Sequence, residues 1–187
     1  MKHHVVHLLL LLLVCAIVFG FQVGSYDFWG RHGEARRAEV SREMVASGNW
    51  LVPHLNGEPF VTKPPLYYWA AAAMFKLTGR FDEFSARIPS VIAGTLGVLV
   101  TYFWANAMFS ARVGCFAGII LATSFLYSGM ARTADVDMML TLFTTTALYF
   151  FTLGYLRRQT AANLSGKWNL STVMYFLSAL CIALGTM

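Results

Sequence analysis

Six residues of this chain have the chemistry to handle an anionic substrate beside a bilayer: Glu34, Arg36, Lys63, Arg87, Arg132 and Asp137. Glu34 and Arg36 stand in a charged stretch, Gly33-Glu34-Ala35-Arg36-Arg37-Ala38-Glu39-Val40-Ser41-Arg42-Glu43-Met44. Lys63 opens Lys63-Pro64-Pro65-Leu66-Tyr67-Tyr68-Trp69, and Arg132 and Asp137 bracket Thr133-Ala134-Asp135-Val136. A carboxylate at a membrane surface can act as general base, taking the proton from an acceptor hydroxyl or amine as it attacks. Lysine or arginine can hold a departing phosphate and stabilise the charge that grows on it. Prolines after Lys63 restrict the backbone and so help fix where the ammonium points. On this reading Glu34 is the acceptor-side carboxylate, with Asp137 sharing or taking that role. Lys63 and Arg36 are phosphate ligands. Arg87 and Arg132 contact phosphate or order the loop.

The same residues also have plainer uses. Glu34, Glu39 and Glu43 can be solvated partners of Arg36, Arg37 and Arg42. Lys63 can snorkel to headgroups. Asp135 and Asp137 can open a helix, where acids are favoured. Against that, these two acids lie in a very short link between apolar runs, where charge is costly and more often functional. An Asp-x-Asp alone is a weak metal signal, and His32 and His54 complete no ligand cluster. A divalent metal therefore has no assignable ligands.

The elements that must position these residues are set by hydropathy. The 187 residues are 57% hydrophobic and only 12% charged, whereas soluble domains run nearer half apolar and a quarter charged. The expected fold is an all-α polytopic membrane protein of about five transmembrane helices, each needing about 20 apolar residues. The first span covers 5–24, an external loop covers 25–87, and 88–187 holds about four more spans in runs at 88–109, 113–130, 138–156 and 170–187. The first run lacks a convincing cleavage site, so it reads as an uncleaved span rather than a signal peptide. Within the loop, Glu34 to Ser47 predicts an amphipathic juxtamembrane helix lying on the membrane, with Glu39 and Arg42 paired at i,i+3 and Gly48 as its stop. The apolar stretch from Pro65 to Leu77 is too short to span and predicts an interfacial helix.

Charge is divided unequally along the chain. All nine acids fall in the loop or at Asp135 and Asp137, while Lys2, Arg112, Arg157, Arg158 and Lys167 fall on the other side with no acid. Long loops translocate largely regardless of charge, so the short loops orient the chain: N-terminus cytoplasmic, large loop external. The net charge of +5 comes without a basic tract, which excludes a nucleic-acid partner in favour of membrane lipids. Cys15, Cys115 and Cys181 lie in apolar runs at spacings that fit neither zinc nor redox motifs. Asn163-Leu164-Ser165 and Asn169-Leu170-Ser171 match the glycosylation triplet but face the cytoplasm on this topology.

Taken in order, Gly33 to Met44, Gly48-Asn49-Trp50-Leu51-Val52-Pro53, Asn56-Gly57-Glu58-Pro59, Lys63 to Trp69, Ala86-Arg87-Ile88-Pro89-Ser90 and Arg132 to Leu140 resemble the membrane glycosyltransferases of the C-type fold. The nearest group is that of the bacterial aminoarabinose (lipid A) transferases and the protein mannosyltransferase-like enzymes, matched over their N-terminal portion. The resemblance implies a multi-span bacterial inner-membrane enzyme with its active site at the first external loop. It also implies a sugar donor linked to polyprenyl phosphate, a lipid or protein acceptor, and inversion at the anomeric centre. An acid at the start of the surface helix would aid the acceptor, and the lysine before the double proline would contact phosphate. Gly33 stands where the family often has an additional acid, and Thr62 where some relatives carry an acid that helps hold a metal. Two rival readings are a non-catalytic transporter or lipid-binding protein and an inactive truncated relative. A transporter would put charge inside the spans and repeat its hydropathy pattern, and neither is visible. The chain stops inside its fifth apolar run, which suggests truncation of a longer protein.

Overall fold

The computed structural model describes residues 2–28, 32–160 and 170–186. Their regular structure is helical apart from one two-residue hairpin. Helix α1 (Lys2–Cys15) runs into a π-helical turn, Ala16–Gly20. A cap follows, made of α2 (His32–Ser47), the antiparallel strands β1 (His54–Leu55) and β2 (Glu58–Pro59), and α3 (Leu66–Thr78). The chain then forms α4 (Glu83–Met108), α5 (Ala111–Thr123), α6 (Phe125–Ala131), α7 (Val136–Thr160) and α8 (Leu170–Gly185).

His3–Gly20, Glu83–Met108 and Val136–Gln159 are long and apolar enough to cross a membrane, and α5 with α6 makes a fourth crossing if the bent pair counts as one span. Helix α8 is apolar but has only 16 residues. The chain is thus an all-α, polytopic membrane protein. The glycosylation triplets at Asn163 and Asn169 begin outside the described residues.

The run expected to span from 113 to 130 is not one straight helix. It bends by 70° between Thr123 and Phe125. Ser124 leaves the helical region (φ −66°, ψ 134°). The Thr123 and Ser124 hydroxyls donate back to the Ile119 and Leu121 carbonyls at 2.8 and 2.9 Å. Such back-bonding competes with the helix ladder and bends it. The Tyr127 hydroxyl then donates to the Gly94 carbonyl at 2.9 Å, tying α6 to α4.

Helix α4 is the central post and packs against α1, α3, α5, α6 and α7. It starts more than a turn before the apolar run because Asp82 caps it, accepting the Ser85 N–H at 2.9 Å. That extra turn carries Arg87 into the helix. Two apolar cores result. One lies among the spans around Leu11, Phe19, Val98, Tyr102 and Met138. The other lies in the cap around Val40, Met44, Tyr67, Tyr68 and Phe75. The apolar stripe of α2, expected to rest on lipid, is therefore buried in protein against α3. The Glu39–Arg42 pair forms as expected, with contacts of 2.9 and 2.6 Å. Gly48, at φ +72°, ends the helix in a conformation open to glycine.

Close packing of α4 on α5 depends on Gly114, where a Cβ would stand 2.6 Å from the Tyr102 carbonyl oxygen. Gly114→Ala should destabilise by about 1–3 kcal/mol through overpacking. Gly129→Ala meets no atom within 4 Å and should be neutral or slightly stabilising. Thermal unfolding of the two variants in detergent checks the contrast.

Candidate active site

The sequence-selected residues separate into a buried pair, an exposed pair and two flanking arginines. Glu34 lies in the first turn of α2, where the helix dipole favours an acid. Arg87 lies in the second turn of α4. Arg87 Nε donates to Glu34 Oε1 at 2.7 Å and Nη2 to Oε2 at 3.1 Å, a two-pronged pair with side chains only 4% and 3% exposed. The Ala134 N–H also donates to Glu34 Oε1 at 2.7 Å. Arg87 donates further to the carbonyls of Val23, Tyr26 and Asp27 at 2.7, 2.8 and 3.3 Å. One ion pair therefore ties together the end of the first span, α2, α4 and the link before α7.

A second strut runs parallel to it. Arg37 Nη1 lies 3.2 Å from Asp135 Oδ2 and donates to the Ala134 carbonyl at 3.1 Å. Asp135 Oδ1 in turn accepts the Asp137 N–H at 3.1 Å, ordering the start of α7. Glycine at position 33 serves this strut, because a Cβ there would lie only 3.1 Å from Arg37 Nη1. The residue that departs from the family pattern thus makes room for the Arg37 guanidinium.

Lys63 and Asp137 are placed differently. Lys63 Nζ stands 3.9 Å from Asp137 Oδ1, and both side chains are 47% exposed. The contact is loose, so each group keeps capacity for another partner. Arg36 is exposed and lies over the Phe60 ring at 5.9 Å. Arg132 donates to the Phe21 carbonyl at 2.9 Å. With Glu34, Arg87 and Asp27 it lines a cavity of about 560 Å³ between the loop after α1 and α6. Among the described residues no group of three or more His, Cys, Asp or Glu side chains is placed to hold a metal ion.

Three contributors had no clear sequence signal. Arg37 looked like one more surface charge, and Asp135 was not separable from Asp137. Their spacing from Ala134 is set only by the packing of α2 on the link before α7. Tyr68 is fully buried with a hydroxyl that has no partner among the described residues. Burial pushes its pKa up, while Arg37 and Arg36 pull the other way. Its neighbour Tyr67 donates to the Ala86 carbonyl at 2.7 Å and so pins α3 to α4.

Removing one member of a buried ion pair strands the other charge, at a cost of about 3–5 kcal/mol. Arg87→Ala should therefore lower the unfolding midpoint in detergent by roughly 6–20 °C. The double variant Glu34→Ala/Arg87→Ala should lose less than the losses of Glu34→Ala and Arg87→Ala added together. Simple additivity would show that the pair is not coupled.

Comparison with known proteins identifies the family. Residues 62–185 match the family model described as dolichyl-phosphate-mannose-protein mannosyltransferase. The chain is similar to the undecaprenyl phosphate-alpha-4-amino-4-deoxy-L-arabinose arabinosyl transferase of Pseudomonas savastanoi pv. phaseolicola, with 34% identity over 143 residues, 76% of this chain and 26% of that protein. The same-named transferase of Enterobacter sp. is 31% identical over 180 residues, 96% of this chain and 31% of that protein. The fold matches crystal structures of ArnT from Cupriavidus metallidurans, in the apo state and bound to undecaprenyl phosphate. Each gives a TM-score of 0.78 at 26% identity, over 95% of this chain and 32% of that one. The chain spans about a quarter to a third of the length of these relatives. By the extent of the family match and the shared fold, it belongs to the dolichyl-phosphate-mannose-protein mannosyltransferase family.

Proposed function

We propose that this chain forms the donor-handling membrane portion of a glycosyltransferase that moves a sugar from a polyprenyl-phosphate carrier to a lipid or protein acceptor. The observation that carries the reading is the half-exposed Lys63–Asp137 pair, held at 3.9 Å beside a fully committed Glu34–Arg87 pair. The names of the relatives, which act on undecaprenyl-phosphate or dolichyl-phosphate sugars, support the donor class. The bacterial relatives support an inner-membrane location, and the basic, acid-free short loops favour a cytoplasmic N-terminus with the cap on the external face.

In this reading the acceptor's hydroxyl or amine attacks the anomeric carbon. The bond from that carbon to the phosphate oxygen breaks, and polyprenyl phosphate leaves. Asp137 takes the acceptor's proton as general base. The Lys63 ammonium stabilises the charge growing on the departing phosphate, with Arg36 and Arg132 as further phosphate contacts. Glu34 acts as a positioning residue. It accepts hydrogen bonds from Arg87 and Ala134, and it holds the link that leads to Asp137.

The test uses membranes that carry the gene product and a panel of polyprenyl-phosphate sugars, with release of polyprenyl phosphate as the readout. Lys63→Ala and Asp137→Asn should each lower release by about a hundredfold or more at unchanged protein level. Glu34→Gln should lose activity in proportion to folded protein. Near-normal release in both Lys63→Ala and Asp137→Asn would overturn the assignment.

A further inference from the structure

A second basic cavity lies at the opposite end of the bundle from Glu34 and Arg87. Roughly 30 Å of α4, at 1.5 Å per residue, separates Arg87 from the turn at Ser110, about the thickness of a bilayer's hydrocarbon core. The cavity holds about 480 Å³ and is lined by His3, His4 and His7 of α1 with Ser110 and Arg112 at the α4–α5 turn. No carboxylate lines it, and Arg112 is exposed with no ion-pair partner among the described residues.

The histidines are held as a wall rather than left as a frayed end. His4 Nδ1 is 2.7 Å from the Tyr102 hydroxyl. His4 and His7 both meet the Tyr102 ring edge-on, at centroid distances of 6.3 and 6.1 Å. His7 Nδ1 is buried with no hydrogen-bond partner among the described residues. The groups that meet or share the cavity with these imidazoles are Tyr102 from α4 and Ser110 and Arg112 at the α4–α5 turn. None of them is an acid, so nothing described on the neighbouring helices competes with an anionic ligand. On the adjoining turns of the chain Val6, Leu9, Phe109, Val113 and Phe116 are all exposed, which suits acyl chains beside a headgroup and not a free ion in water.

We infer that this cavity binds the phosphate headgroup of an anionic phospholipid, with Arg112 as its cation and the imidazole N–H groups of the three histidines as further donors. Basic pockets between membrane helices recognise such headgroups, at about 1 kcal/mol per basic residue. The inference stands independently of the sugar-transfer reading, because it uses no residue of the Lys63–Asp137 site.

The intact chain in maltoside micelles can be titrated with phosphatidylglycerol or phosphatidylcholine and the retained lipids counted by native mass spectrometry. Wild type should retain one phosphatidylglycerol in preference to phosphatidylcholine. Arg112→Gln, an exposed change that should leave folding intact, should weaken retention about fivefold. Equal retention of both lipids by wild type, or unchanged retention in Arg112→Gln, would overturn the proposal. So would equal thermal protection by inorganic phosphate alone, which would make the site one for a free anion.

Discussion

The buried Glu34–Arg87 pair is the constraint on which the cap end of this protein depends. Two charges removed from water are costly, and the cost is offset only where geometry is good and the remaining donors and acceptors are satisfied. Here both carboxylate oxygens accept from the guanidinium, one also accepts from a backbone N–H, and the guanidinium reaches three carbonyls. Those partners come from four separate parts of the chain. A connection that an apolar contact would leave free to slide is thereby held in one register.

This buried frame explains why a neighbouring charged pair can stay loose. Lys63 follows from a backbone stiffened by Pro64 and Pro65, and Asp137 from a helix start ordered by Asp135. Neither needs the other to hold its place, so their contact at 3.9 Å stays loose and both side chains remain half-exposed. Stability and exposure are assigned to different residues of like chemistry. A buried glutamate holds the frame and a half-exposed aspartate meets solvent. Gly33 fits the same division, since the space over that glycine is used by Arg37 to reach the link before α7.

Much of the architecture was legible in the residues because its causes are local. The thirteen-residue apolar stretch is too short to span, and it forms α3. Glu39 and Arg42 pair because three residues on a helix surface bring them together. The short hairpin was not expected; Asn56 and Gly57 adopt positive φ at its turn, where Glu43 accepts both backbone N–H groups at 2.6 and 3.2 Å. The break at Ser124 was hidden inside an unbroken apolar run, because hydropathy reports burial and not backbone direction. The lodging of α2 against α3 was hidden too. An apolar stripe looks the same whether it meets lipid or protein.

The sequence by itself determined the membrane class, most of the helices, the family, and which residue types stand in and beside the cap. Those follow from hydropathy, periodicity and an ordered series of motifs. Only the tertiary structure decided the state of each charge. Glu34 and Asp137 are both acids, each at the start of a helix, and nothing local tells them apart. Arg87 is what separates them, because α4 brings its guanidinium across more than fifty positions of chain to bury one carboxylate and leave the other at the surface.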